Sequence, residues 1–210
     1  MIAHKPAAIE LAQAAALGTP ALAAIESVNA VAPHEGETVL IVGAAGGVGS
    51  YAIQLLVTRG VHVIATGQPG QEECLRGLGA DEVIDFTIDD IVEKVKAAHP
   101  EGIDGLIDLV NRDPAALERN AQVVRRGGRV ATTMNSVNPE ALAQRGIQGS
   151  NIMAGSTTTP QDLETLAHLA AAGELKVPIA HVFSLEEIPA AFERLQSGAV
   201  QGKVVIDCRV

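Results

Sequence analysis

The segment that most constrains the fold is Val39-Leu-Ile-Val-Gly-Ala-Ala-Gly-Gly-Val-Gly-Ser50, an apolar run that ends in four glycines. A second apolar run, Tyr51-Ala-Ile-Gln-Leu-Leu-Val57, follows at once. This order predicts a buried strand, a turn too tight for side chains, and a helix whose first amides face an anion. The spacing from Ala44 to Gly49 fits Ala-x-Gly-x-x-Gly, the dinucleotide-binding fingerprint with alanine in its first position.

The rest of the chain continues this alternation of short apolar strands and helices. Strands are predicted over residues 39–42, 61–66, 82–85, 105–110, 128–133 and 150–154, and helices over 48–58, 72–78, 88–98, 114–124 and 160–172. Buried strands that alternate with helices are typical of a parallel sheet covered on both faces. The predicted fold class is therefore α/β, a Rossmann-type doubly wound parallel sheet of about six strands.

The two ends of the chain depart from this rhythm and divide it into three segments. Residues 1–32 form a helical lead-in of two short helices interrupted near residues 18–20, and residues 33–175 form the nucleotide-binding domain. Residues 176–210 form a strand, a helix and a strand, with the helix opened by a predicted capping box at Ser184-Leu-Glu-Glu187 and the last strand over 203–207.

Composition excludes several classes of function. Lys and Arg number 15 against 25 Asp and Glu, which gives a net charge of −10 and argues against nucleic acid or an anionic membrane surface. No apolar run in the sequence reaches the roughly 18–20 residues of a membrane helix. The two cysteines, Cys74 and Cys208, form no ligand pattern, so a reducing, cytoplasmic setting is expected.

The end of the second predicted strand indicates which dinucleotide binds. An NAD enzyme usually places Asp or Glu there, whereas this chain has Ala65-Thr-Gly-Gln-Pro-Gly70. Nothing there repels a 2′-phosphate, and Thr66 and Gln68 can donate hydrogen bonds to one, with Arg76 further along the chain. The sequence therefore favours NADP(H) over NAD(H). The alternative to dinucleotide binding as a whole is a glycine turn that serves only for packing.

Other chemistries find little support in the sequence. A short-chain dehydrogenase needs Tyr-x-x-x-Lys, but Leu55 follows the single tyrosine, Tyr51, at that spacing. None of the six histidines pairs with another at ligand spacing, and His62 is interpreted as a packing residue. Asp108 is interpreted as a structural acceptor for neighbouring backbone. Asp81, Glu82 and Asp85 are interpreted as a solvated rim. No catalytic residue and no metal ligand is predicted.

At these motifs the chain resembles the medium-chain dehydrogenase/reductase superfamily, in its zinc-independent quinone-oxidoreductase-like branch. The matching pieces lie in the same order along nearly the whole chain: His4–Pro6, Ala14–Leu17, Gly36–Gly49, Leu78–Asp85, Arg126–Val130, Phe183–Glu187 and Gly202–Val205. The resemblance implies an NADPH-dependent reductase of quinones or α,β-unsaturated carbonyls, in which the nicotinamide carries the hydride.

The resemblance also implies the cofactor-binding residues. The pyrophosphate turn falls on Ala45, Gly46, Gly47, Val48 and Gly49, and the 2′-phosphate and ribose region falls on Thr66, Gly67 and Gln68. Val110 and Asn111 are expected near the ribose, Thr132 and Thr133 near the nicotinamide, and Lys203 where the C-terminal segment returns to the cofactor. Residues Asn151–Ala154 are expected to form the edge strand of a homodimer.

One departure from the family pattern bears on activity. Members carry a separate β-rich catalytic domain before the cofactor domain, and this chain begins near that domain's end. Two hypotheses follow: an NADPH-dependent oxidoreductase represented by its cofactor domain and weakly active or inactive alone, or a non-catalytic NADP(H)-binding, dimer-forming module. The small-molecule substrate is left open, and apolar surface over residues 177–210 is expected to favour association.

Overall fold

The computed structural model describes residues 2–198 and 200–209. Met1, Ala199 and Val210, which the predicted terminal segments include, lie outside the described residues. The helices are α1 (Leu11–Val31), α2 (Gly49–Val57), α3 (Glu72–Gly77), α4 (Ile91–Ala98), α5 (Pro114–Asn120), α6 (Pro139–Gln144), α7 (Pro160–Ala171) and α8 (Ile188–Gln196). The strands are β1 (Thr38–Val42), β2 (His62–Gly67), β3 (Glu82–Asp85), β4 (Ile103–Asp108), β5 (Val124–Thr132), β6 (Gln148–Asn151), β7 (Ile179–Ser184) and β8 (Lys203–Asp207).

Six strands form one sheet in the order β3-β2-β1-β4-β5-β6, and every neighbouring pair is parallel. The chain moves outward from β1 to β3, then returns to the other side of β1 to place β4. A crevice therefore opens between β1 and β4 at their carboxyl ends, where such folds bind ligands. This topology confirms the predicted doubly wound α/β fold.

Successive strand residues point to opposite faces and build two hydrophobic cores. Val39 and Ile41 of β1 enter a core with residues of α1, α2, α3 and α7. Leu40 and Val42 enter the other core, with residues of α4, α5 and α6. All four side chains are buried. Polar residues do not alternate with apolar ones along β1, because both faces of the sheet are covered by helices.

Helix α1 packs against this sheet instead of standing apart. The backbone is non-helical at Gly18, so the two short helices predicted around an interruption near residues 18–20 are present as two helical segments that meet at a kink. The hydroxyl of buried Tyr51 on α2 donates to the Ala16 carbonyl oxygen at 3.2 Å, and burial raises the pKa of this phenol. By its length, and by a mean hydropathy of 1.3 over an 18-residue window, α1 could span a membrane. In the fold, however, 61% of that window is buried.

The C-terminal segment forms a separate parallel pair, β7 with β8, beside α8. The predicted capping box is wrong, because α8 begins at Ile188 with Pro189 in its first turn. The Ser184 amide does donate to the Glu187 carboxylate at 2.9 Å, but this contact closes a turn before the helix. Helix α6 was absent from the predicted elements; Asn138 caps it by accepting from the amides of Glu140 and Ala141.

Candidate cofactor site

The glycine turn joins β1 to α2 at the crevice of the sheet. Gly43 has a positive φ of 85°, which favours glycine. A Cβ on Gly49 would lie 2.6 Å from the Gly43 and Ala44 carbonyl oxygens, so a side chain there would push α2 away from the turn. Gly46 differs, because the nearest atom to a Cβ built there is the Gly43 carbonyl oxygen at 3.4 Å. Gly49 therefore serves packing, whereas Gly46 leaves the turn open toward the crevice.

The N-terminus of α2 faces the same opening. The N-cap residue, Val48, makes no side-chain cap hydrogen bond, and the amides of Ser50 and Tyr51 donate to the carbonyl oxygens of Gly46 and Val48 at 3.0 and 3.2 Å. The positive end of the helix dipole suits an anion such as a pyrophosphate. The turn thus has both the open backbone and the charge that a dinucleotide requires.

The end of β2 forms the second part of the site. The Thr66 side chain is buried, and its Oγ1 accepts from the Gly43 amide at 3.1 Å, which ties β2 to the glycine turn. Gln68 is half-buried, and its amide donates to the side-chain oxygen of Gln71 at 2.8 Å. A Cβ on Gly67 would approach Leu75 to 2.7 Å, so this glycine packs against α3.

The end of β4 forms the opposite wall. The buried Asp108 carboxylate accepts from the amides of Val110 and Asn111 at 3.1 and 3.0 Å. It also accepts from the side-chain amides of Asn111 and Asn120, at 2.7 and 3.2 Å. The interpretation of Asp108 as a structural acceptor therefore agrees with the geometry, because this carboxylate shapes the loop that carries Val110 and Asn111.

The end of β5 and the returning β8 complete the surroundings of the turn. Thr132 is fully buried, its Oγ1 accepting from the Met134 amide at 3.0 Å, while Thr133 is half-buried at the crevice. The Gly202 amide donates to the Ala45 carbonyl oxygen at 2.9 Å. A Cβ on Gly47 would approach the Lys203 stem to 2.4 Å, so the lysine chain covers this glycine.

These parts enclose a cleft of about 620 Å³. Ten predicted site residues line it: Ala45, Gly46, Gly47, Val48, Gly49, Thr66, Gln68, Val110, Asn111 and Thr133. Three others, Gly67, Thr132 and Lys203, lie next to lining residues but outside the lining itself. A volume of this size fits the usual range for cofactor sites, so the residues present suit a dinucleotide.

One cation at the cleft was missed by sequence reasoning. Arg76 lies outside the lining, because its guanidinium bonds to Glu72 and to the Asp81 carbonyl oxygen. Arg119 of α5 does line the cleft and donates to the Asp90 carboxylate. One feature of the sequence could have indicated Arg119. Its helix follows β4, and the helix after β4 lies beside the same crevice as the glycine turn.

The described residues that line the cleft include no Cys, His, Asp or Glu. These are the side chains that bind zinc in proteins, so the cleft does not suit that ion. Elsewhere, two histidines that show no ligand spacing in the sequence are brought together by the fold. His62 and His99 both contact Glu82, at 2.6 and 2.8 Å, so His62 is not only the packing residue that was expected.

Comparisons with known proteins give the chain its family. Residues 78–206 match the family model described as zinc-binding dehydrogenase. The chain is 30% identical to the mouse (Mus musculus) protein named "NAD(P)H oxidoreductase RTN4IP1, mitochondrial", over 98% of this chain and 58% of that protein. It is 32% identical to 2-methylene-furan-3-one reductase of Solanum lycopersicum, over 98% of this chain and 49% of that protein.

A solved structure agrees with these matches. Escherichia coli quinone oxidoreductase, complexed with NADPH, superposes with a TM-score of 0.84 at 29% identity, covering 97% of this chain and 67% of that one. The chain spans about half to three fifths of the length of the two curated relatives. It belongs to the zinc-binding dehydrogenase family, as a cofactor-binding part of the medium-chain dehydrogenases/reductases.

Proposed function

We propose that this chain is the cofactor-binding part of an NADPH-dependent oxidoreductase that transfers hydride to a quinone or an α,β-unsaturated carbonyl. The observation that carries the proposal is the cleft, in which the Gly46 turn, the N-terminus of α2 and the ends of β2 and β4 converge. The names of the mouse, tomato and E. coli relatives support the same class of reaction.

The lining at the end of β2 favours NADP(H) over NAD(H). Thr66 and Gln68 offer neutral polar groups there, and the described lining residues include no carboxylate to repel a 2′-phosphate. Arg119 of α5, paired with the Asp90 carboxylate, adds a cationic side chain to the lining of the cleft. NAD enzymes instead use an acidic residue at the end of β2 to bind the ribose hydroxyls.

The chain's own residues would bind and orient the cofactor. The nicotinamide supplies the hydride chemistry, and the protein sets its position and surroundings. We assign the pyrophosphate to the turn from Ala45 to Gly49, the ribose to Val110 and Asn111, and the nicotinamide to the end of β5 at Thr132 and Thr133. The Gly202 amide joins the returning segment to Ala45 of the turn, and the Lys203 stem lies over Gly47.

The alternative is a non-catalytic NADP(H)-binding, dimer-forming module. Arg119 is the single Asp, Glu, His, Cys, Tyr, Lys or Arg among the described lining residues, and it does not serve as an acid or base at neutral pH. We therefore expect little NADPH oxidation by this chain alone in the presence of a panel of quinones. Ordinary turnover in that assay would contradict this expectation, because it would show that the chain catalyses the reaction without a further domain.

Gly46→Ala tests the cleft directly. The alanine Cβ fits the backbone but enters the space above the turn, so NADPH affinity should fall at least about tenfold, equivalent to about 1.4 kcal/mol. Gly77→Ala on α3 is the matched control, because a Cβ there meets nothing within 4 Å. Cofactor fluorescence measures both affinities. Equal NADPH binding by the two variants would contradict the assignment of the turn.

Partners and compartment complete the proposal. We propose a homodimer through the edge strand near Asn151–Ala154, a small-molecule substrate, and no nucleic acid or membrane partner. A reducing, cytoplasmic setting suits Cys74 and Cys208, which are both free thiols. Because the mouse relative is named mitochondrial, imaging of the tagged protein in its own cells is the test of the compartment.

A further inference from the structure

A side-chain cluster lies at the end of the sheet away from the cofactor cleft. His62 is the first residue of β2, Glu82 is the first residue of β3, and His99 is the C-cap of α4. Because the cleft lies at the carboxyl end of β2, a strand length of about 16 Å separates it from this cluster. The cluster therefore belongs to no part of the site described above.

The ligand atoms of the three residues converge on one point. The Nε2 atoms of His62 and His99 lie 2.6 and 2.8 Å from the same Glu82 oxygen, Oε1. All three ligand atoms lie within 4.8 Å of one another. Around a tetrahedral zinc ion, with bonds of about 2.0–2.2 Å, ligand atoms lie roughly 3.4 Å apart. A retreat of the Glu82 carboxylate by less than about 1 Å would thus admit the ion.

The backbone holds each ligand in place. The His62 amide donates to the Glu37 carbonyl oxygen at 2.9 Å, and Glu82 pairs with Ile64 in the sheet. The His99 amide donates to the Val95 carbonyl oxygen at 2.7 Å. Ligands fixed on strands and at a helix end keep their geometry better than ligands on free loops.

A carboxylate stands behind the first histidine. Asp81 Oδ2 lies 3.6 Å from Nδ1 of His62 and is held by the Val63 amide at 2.8 Å. When Nε2 of a histidine binds a metal, Nδ1 carries the hydrogen and usually donates it to a carboxylate. Asp81 is placed to accept that hydrogen after a small rotation of the ring.

The three side chains are partly exposed. The exposed fractions of the three side chains, 38%, 35% and 22% for His62, Glu82 and His99, leave an ion access from solvent.

We propose that His62, Glu82 and His99 bind a divalent transition-metal ion of the zinc class, with the fourth position open to water. Two imidazoles and one carboxylate are ligands that such ions prefer, whereas Mg²⁺ and Ca²⁺ prefer oxygen alone. The ion would join β2, β3 and α4 on the side of the sheet remote from the cofactor. This site is independent of the proposed hydride transfer.

The test uses the whole 210-residue chain with Zn²⁺ for calorimetry and Co²⁺ for absorption spectra. We expect one ion per chain, with the comparatively intense visible d–d bands of four-coordinate Co²⁺ and no thiolate charge transfer. His99→Gln should lower the affinity at least about 100-fold, and Asp81→Asn about tenfold, since loss of an outer carboxylate typically costs this much. Zn²⁺ should raise the Tm of the unaltered chain but not that of His99→Gln.

His168→Gln is the matched control, because His168 is exposed on α7 and distant in sequence from the cluster. Far-UV circular dichroism checks that each variant is folded, and Glu82→Gln provides a second test if His99→Gln is not. Equal affinity in the cluster variants and the control would overturn the proposal. So would a thiolate band that persists in His99→Gln, because it would place the ion on Cys74 or Cys208.

Discussion

At the scale of single residues, our proposal that the cleft prefers NADP(H) depends on the neutral end of β2. Thr66 and Gln68 line the cleft where NAD-dependent folds carry an acidic residue. Thr66 is already tied to the glycine turn through the Gly43 amide, so its position is fixed before any ligand arrives. Gln68 is half-buried and is the more adaptable of the two.

Gln68→Glu should reverse the cofactor preference. The new carboxylate would repel a 2′-phosphate and accept from a free ribose hydroxyl, so NADPH affinity should fall at least about tenfold, or about 1.4 kcal/mol, while NADH affinity holds or rises. Gln161→Glu adds the same charge on exposed α7 and serves as the control. Fluorescence titration measures both cofactors. A parallel loss of NADPH affinity in the control would mean that net charge, not position, is responsible.

At the scale of elements, the end of β4 depends on one buried carboxylate. Asp108 accepts four hydrogen bonds from Val110, Asn111 and Asn120, and these contacts turn the chain away from the sheet. The strand was expected to run to Val110, but it ends at Asp108. The Leu109 amide still donates to the Val42 carbonyl oxygen of β1, whereas the amides of Val110 and Asn111 donate to the Asp108 side chain. Asp108 thus shapes one wall of the cleft.

Asp108→Ala should lower the free energy of unfolding by about 3 kcal/mol, because the substitution leaves several donors without their acceptor. Asp113→Ala is the control: Asp113 is an exposed N-cap of α5 that accepts from the Ala115 amide, and its loss should cost about 1 kcal/mol. Urea denaturation measures both values. If the two variants lose the same stability, Asp108 is not the anchor of this loop.

The elements also show what sequence reasoning could reach. Apolar runs predicted strands β1 to β5, since burial leaves a clear pattern. The sixth strand was predicted over 150–154 but lies at Gln148–Asn151, so of the expected dimer edge over Asn151–Ala154 only Asn151 is in β6. This strand is polar and partly exposed and lacks the apolar pattern. Strand β5 begins four residues before its predicted start, at Val124, because Ile103 pairs with Val124 ahead of an irregularity in register. The six-residue helix α6 was too short for its periodicity to be recognised.

The cleft and the histidine cluster differ in how far each could be predicted from the sequence. The glycine turn is contiguous in sequence, so its function could be predicted from its spacing. His62, Glu82 and His99 are 20 and 17 residues apart and carry no local motif. Only the parallel pairing of β2 with β3, and the return of α4 along the sheet, bring them together. Arg119 was missed for the same reason.

At the scale of the whole molecule, two exposed apolar surfaces among the described residues are candidates for contacts with partners. Strand β6 lies at the edge of the six-stranded sheet, and Met153 beside it is 74% exposed. On the C-terminal segment, Phe192 and Leu195 of α8 are exposed as well. Exposed sheet edges and apolar patches promote association, so both surfaces are candidates for contacts between chains.

The proposed homodimer uses the β6 edge. Met153→Asp should convert the dimer to a monomer, because a charge would have to be buried beside the paired strands. Ile88→Asp is the control, since Ile88 is equally exposed in the turn after β3. Size-exclusion chromatography with light scattering measures the mass. A dimer that survives Met153→Asp but is lost in Phe192→Asp would place the interface on α8.

The most direct test of the whole account is a parallel titration of the unaltered 210-residue chain with NADPH and NADH, followed by cofactor fluorescence. The chain contains no tryptophan, so its own emission does not obscure the signal. The account predicts saturable binding of both cofactors at one site per chain, with NADPH tighter. Tighter binding of NADH would contradict the assignment of Thr66 and Gln68, and no binding of either would show that the glycine turn alone does not make a site.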